Sequence, residues 1–162
     1  MANYWVLQGN PNKWDYPERL FSEPILGWSV TGVEDQVAVG DGVLIWMANA
    51  KPALRGIHAA GKISGEPRTG YPLGWGDTRQ KATLTPFVPL GIHWYLVHNN
   101  VGVDELRGSA FSSNRILSMP RRTAYPCSKP EFDAAVARIS THGPTMLPVR
   151  PAASLREWWD TV

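Results

Sequence analysis

The segment that most limits what this chain can fold into is Val39-Gly40-Asp41-Gly42 running into Val43-Leu44-Ile45-Trp46-Met47. Gly-Asp-Gly is turn chemistry, because glycine and aspartate tolerate the tight backbone that a reversal needs. The run after it is apolar throughout and rich in β-branched and aromatic residues, so it reads as a strand. A second turn is expected over Asn49–Pro52, and Leu54–Ile63 then alternates like a partner strand. The two make a hairpin, and a domain built around a sheet follows.

The remaining elements are short. Tyr4–Leu7 reads as a strand ending in the turn cluster Gln8-Gly9-Asn10-Pro11-Asn12. Asp15–Phe21 has the makings of a short helix, with Pro17 in its first turn. Trp28-Ser29-Val30 is a brief extended piece. Residues 64–80 carry glycines, prolines, Tyr71 and Trp75, and no regular element fits them. A loop of that length in a compact domain is usually functional or disordered, and the aromatics argue against simple disorder. Ala82–Leu90 resumes strand character with Pro86 and Pro89 marking an edge or bulge, and Ile92–Val97 is a further strand. Val103–Leu106 suits a helical turn, and Leu117 begins a turn or an extended stretch. Lys129–Ile139 is the clearest helix, with Ser128 as cap, Pro130 in the first turn, and Phe132, Val136 and Ile139 on one face. A proline-rich tail after Gly143 ends in a possible helix over Ser154–Trp159. The expected fold class is α+β, a β-barrel of about six strands with flanking short helices.

Composition narrows the function. A chain of 162 residues fits a single domain, 1–162, able to bury a real core. Its lone cysteine, Cys127, rules out an internal disulfide or a Cys-based zinc site, so a reducing, cytoplasmic compartment is expected. The first residues do not resemble a signal peptide, and no apolar run approaches membrane length. Net charge is only +2, yet residues 51–130 hold eleven basic and four acidic side chains, while residues 1–50 hold two and six. A basic middle suggests one positive face, against the alternative of chance clustering on a solvated surface. Eight tryptophans exceed what a core of this size needs, and Trp suits places where a flat apolar face meets a partner.

Catalysis finds little support. There is no glycine-rich phosphate loop or dinucleotide fingerprint. His58, His93, His98 and His142 lack metal-ligand spacing, and His93 with His98 reads as structural. No carboxylate pair is set for acid–base work. Cys127 follows Pro126 in an expected loop without an activating partner, and Ser109, Ser112 and Ser113 have no nucleophile elbow. No catalytic residue, metal or cofactor is assigned.

Two stretches carry a family resemblance. Tyr4-Trp5-Val6-Leu7-Gln8-Gly9-Asn10-Pro11-Asn12-Lys13-Trp14-Asp15 is the first. Val39–Trp46 followed by Arg55-Gly56-Ile57-His58-Ala59-Ala60-Gly61-Lys62-Ile63 is the second. Together they resemble EVE domains of the PUA-like superfamily, relatives of YTH domains. In that pattern a first strand gives way to an Asn-Pro turn, and a Gly-Asp-apolar-aromatic strand pairs with a Gly-Ile-x-x-x-Gly strand. Trp28-Ser29-Val30 matches a Trp-x-Val found between them. The likeness runs loosely through Arg115-Ile116-Leu117 to the helix, covering about residues 3–140. The tail, 143–162, matches nothing comparable.

The resemblance implies a non-catalytic reader that flips one modified base out of the stack, most readily 5-methylcytosine or a related cytosine in DNA. Such domains often serve restriction systems beside nuclease or ATPase modules. This sequence has none, so a separate subunit would supply that activity, or the sequence is a domain of a longer chain. The protein is expected to act as a monomer. By the same resemblance the aromatic pocket takes Trp28 and Trp75, with Tyr71 as a further wall. Trp46 is either the pocket floor or core. Asn10, Gln8, Ser29 and Asn49 are candidates for the base edge, each also readable as a turn former. Asp41 reads as a structural turn residue. Lys13, Lys51, Arg55, Arg68, Arg79, Lys81, Arg115, Arg121 and Arg122 are candidates for phosphates. The alternatives are an RNA reader, of N6-methyladenine or modified tRNA, and a small-molecule or protein-interaction domain in which Trp158-Trp159 would anchor a partner.

Overall fold

The computed structural model describes residues 2–9, 27–48, 52–70, 85–96, 99–118 and 122–143. Within these, eight strands form one curled mixed sheet. They are β1 (Tyr4–Gly9), β2 (Gly27–Ser29), β3 (Gly42–Met47), β4 (Gly56–Ile63), β5 (Arg68–Gly70), β6 (Thr85–Tyr95), β7 (Val101–Gly102) and β8 (Ala124–Cys127). The order is β2-β6-β4-β3-β1-β8, with β5 on β6 and β7 on β4. The expected hairpin is β3–β4, antiparallel, with Leu44 opposite Ala60. The first strand lies parallel to β3, Tyr4 opposite Gly42 and Gly9 opposite Met47.

All six residues of β3 are buried, because both faces of the sheet are covered. Trp5, Leu7, Trp28, Val43, Ile45, Val88, Leu90 and Tyr95 belong to the inner cluster. Val6, Leu44, Trp46, Ile57, Leu96, Phe111, Tyr125, Ala135 and Ile139 form the outer one, beneath the helices α1 (Val103–Arg107) and α2 (Lys129–Thr141). Alternate residues of β3 therefore serve opposite layers, as strand geometry requires.

Several expectations shift in detail. Asn114 caps the 3₁₀ turn Arg115–Leu117, and Ser109 caps another at Ala110–Ser113. The segments expected as two strands on either side of Gly91 are one strand, β6. It pairs with β2 and β5 over residues 85–89 and with β4 over 90–95. Its prolines give up N–H groups but keep their carbonyls: Pro86 accepts from Val30 and Pro89 from Ser64. A short strand, β5, lies in the stretch expected to be irregular. Cys127, expected in a loop, ends β8 and is buried. The expected helices at 15–21 and 154–159 lie outside the described residues. No helix among the described residues is long and apolar enough to cross a membrane.

Candidate nucleic-acid interface

The site is built around Trp28. Its backbone sits in the small sheet β2–β6–β5, where Ser29 and Arg68 flank Phe87 from either side. The Arg68 guanidinium lies 5.7 Å from the Phe87 ring centre, a cation–π contact. The indole reaches back across the inner core to the end of β1. There its Nε1–H donates to the Gln8 carbonyl at 3.3 Å, and its ring covers Gly9. A methyl group at position 9 would lie 2.8 Å from that ring, so the close approach needs glycine.

The chain crosses the same end several times. Ala48, just past β3, donates its N–H to the Gly9 carbonyl, and Gln8 N–H donates to Thr123 just before β8. The Gln8 side-chain amide donates to the Arg122 carbonyl at 2.9 Å, while Arg122 N–H donates to the Tyr125 hydroxyl at 2.8 Å. The Arg122 backbone is thus held on both sides while its side chain remains exposed. Arg55 precedes Gly56, which lies opposite Met47 at this end.

Two surface clefts adjoin it. One, of about 280 Å³, is bounded by Arg115, Arg122, Tyr125, Asn114 and Glu131. The other, of about 80 Å³, lies over Trp46 between Arg55 and Arg107. Arg55, Arg107, Arg115 and Arg122 are all exposed, the first two on one cleft and the last two on the other. Arg107 meets Asp104 at 3.6 Å; Arg55, Arg115 and Arg122 have no ion pair among the described residues.

The expected site residues therefore divide. Gln8 and Trp28 are in direct contact, and Arg115 and Arg122 share a cleft. Ser29 and Arg68 sit in the small sheet that carries Trp28, and the Ser29 hydroxyl is 2.9 Å from that of Thr31. Trp46 does not join them. It lies on the outer face, 2% exposed and stacked on Phe111 with ring centres 6.2 Å apart, so it cannot floor a pocket built on Trp28. Trp28 itself is 3% exposed and packed in the inner core, where an open cage wall was expected. Asn10, Asn49, Tyr71, Trp75, Lys13, Lys51, Arg79, Lys81 and Arg121 lie outside the described residues. Arg107 escaped the sequence reading, although it falls within the basic middle.

Chemical groups suited to catalysis are poorly placed. Burial, and then the charge of Glu131, push the Cys127 thiol well up, so it stays protonated. His58 is fully buried and its Nε2–H donates to the Leu54 carbonyl at 2.6 Å. No group of three or more metal-ligating side chains occurs among the described residues.

This curled sheet with few helices is a fold also seen in solved structures. A hypothetical protein from Leishmania major superposes with a TM-score of 0.59 at 16% identity, covering 87% of this chain and 96% of that one. Human THYN1, solved in complex with 5-methylcytosine-containing DNA, gives 0.58 at 14%, covering 90% and 100%. The DUF55 domain of human thymocyte nuclear protein 1 gives 0.56 at 14%, covering 86% and 98%. At such identities the likeness is one of fold. No protein-family model and no curated protein sequence matches the chain.

Proposed function

We propose that this domain binds nucleic acid without catalysis and reads one modified base, with 5-methylcytosine in DNA the favoured ligand. The observation that carries the reading is the placement of Trp28. It ties the Gly9 end of β1, where the Gln8 amide holds Arg122, to the small sheet of Ser29 and Arg68. In the sequence Asn10 directly follows Gly9 at the end of β1, and Tyr71 and Trp75 lie between β5 and β6. The fold it shares with THYN1, which was solved with methylated DNA, supports the same reading.

The energetics are feasible. Extracting a base costs a few kcal/mol. Stacking on an aromatic side chain returns about 1–3 kcal/mol, and burying one methyl adds about 0.8 kcal/mol. Trp28, braced by the Gln8 carbonyl, serves as the packed back of the pocket; Trp75 and Tyr71 supply the faces that close on the base. The arginines hold the phosphates on either side. Cleavage, in a restriction setting, would fall to a nuclease, with an ATPase as a further partner, on a separate subunit or elsewhere in a longer chain.

Binding to matched DNA and RNA oligonucleotides, with and without modified cytosine or adenine, tests the proposal. Preference for methylated DNA is expected, and Trp75→Ala should lose that preference while keeping salt-sensitive binding. A preference for modified RNA would move the reading to RNA. Equal affinity for modified and plain strands would sink it.

A further inference from the structure

A third cleft, of about 310 Å³, opens on the outer face of the sheet beside α2. Tyr4, Gly42, Lys62 and Gly91 stand in one row across β1, β3, β4 and β6. Gly42 and Gly91 present no side chains, so Lys62 has bare backbone on both sides. Into the space above Gly42 lean Tyr4 and Phe132, their ring centres 4.6 Å apart. A Cβ at position 42 would stand 2.7 Å from Tyr4 and 2.9 Å from Phe132. Trp94 forms the opposite wall, with the His93 ring edge-on to it at 6.1 Å. Tyr4, Trp94 and Phe132 are all only partly buried.

Lys62 is exposed and has no ion pair among the described residues. Partial burial, and then the Lys62 charge, lower the His93 pKa, so near neutral pH the ammonium is the cleft's positive charge. Aromatic walls, a floor of glycine and alanine and one cation at the rim complement a flat ring carrying a negative group. The volume falls at the small end of the range for small-molecule sites. We infer that this cleft binds a planar aromatic anion of about the size of a nucleoside monophosphate, its ring against Trp94 and its anionic group on Lys62.

The cleft is separate from the Trp28 end. It lies on the other face of the sheet, at the Tyr4–Gly42 end of strands whose Gly9–Met47 end meets Trp28. Five residues of strand separate the two, roughly 17 Å at the usual rise per residue. It does not depend on base reading and has its own test.

Adenylate, adenosine and inorganic phosphate are titrated separately into the full chain while the Trp94 indole N–H is followed by NMR. Adenylate should shift that signal, and adenosine should need a higher concentration. Lys62→Gln should weaken adenylate binding about tenfold, the worth of one charge-assisted contact, and leave adenosine unchanged. An unmoved Trp94 signal, or equal adenylate affinity in Lys62→Gln, overturns the inference. So do shifts confined to residues around Trp28. Binding that appears only when Trp158 and Trp159 are both replaced by alanine would also overturn it, since the chain's own tryptophans would then be the occupant.

Discussion

At the scale of single residues, two buried polar groups, Asp41 and His58, hold the sheet together. Asp41 is 2% exposed, and its carboxylate accepts from Asn3 N–H at 2.9 Å, Trp5 Nε1–H at 2.9 Å and Ala38 N–H at 3.0 Å. Hydrogen bonds to a charged acceptor are worth more than neutral ones, and the donors left behind by its loss are costly. Asp41→Ala should cost about 3 kcal/mol or more, read as a lower urea midpoint with unchanged slope. The turn around Asp41 was legible from Gly-Asp-Gly; its reach to Trp5 was not, because sequence spacing says nothing about a partner 36 residues away. His58 is the second group. Burial lowers its pKa from 6.5 to about 4, against the opposing pull of the Leu54 and Leu96 carbonyls. The unfolded chain therefore takes up a proton at higher pH than the folded one does. His58's stability contribution is complete above about pH 6.5 and lost as pH falls toward 4, by about 3 kcal/mol. His58→Gln should be less stable at neutral pH but should lose less over that window in urea titrations at stepped pH.

At the scale of elements, the family-like Gly-Ile-x-x-x-Gly pattern has a packing explanation. Gly56 has φ +142, and a Cβ there would lie 1.9 Å from the Val101 carbonyl oxygen; one at Gly61 would lie 2.1 Å from that of Gly91. Both glycines let neighbouring strands close on β4. Helix α2 was legible because its start is written locally. The Ser128 hydroxyl accepts from Glu131 N–H at 3.3 Å, and the Glu131 carboxylate accepts from Ser128 N–H at 2.8 Å. The same carboxylate also accepts from the Asn114 amide at 3.0 Å, and Asn114 in turn caps the turn that carries Arg115. Ser128→Ala should cost about 1 kcal/mol, as other cap removals do. Glu131→Ala should cost more, about 2 kcal/mol, because it also frees a buried amide. Thermal melts of the two variants check the order; equal losses would mean that Asn114 does not couple the helix to the arginine cleft. The single long β6 was illegible for the converse reason. Gly91 looks like a break in sequence, and only the handover between two sets of partner strands at residues 89–90 shows that the strand runs on.

At the scale of the whole molecule, what the sequence hid was which face each aromatic serves. Trp28 and Trp46 look alike in a list of tryptophans. Yet the parity of β3 sends Trp46 outward under Phe111, while Trp28 points into the inner core. Folding divides the basic middle of the sequence. Arg55, just before β4, and Arg107, at the end of α1, share one cleft; Arg115, from a 3₁₀ turn, and Arg122, at the entry to β8, share another, while Lys62 stands at the Tyr4–Gly42 end. Under the proposed function the arginines neutralise phosphates, and each phosphate neutralised on duplex DNA adds about 0.9 to the slope of log K against log salt. Replacing Arg115 and Arg122 together by glutamine should therefore flatten that slope by about 2. It should weaken methylated and unmethylated DNA alike, because phosphate contacts position the strand and base contacts specify it. Fluorescence anisotropy at stepped salt concentrations reads both quantities. A flattened slope with intact discrimination places the two arginines on the backbone of the bound strand. An unchanged slope would mean the nucleic acid takes another path across the molecule, leaving the Trp28 end without its electrostatic half.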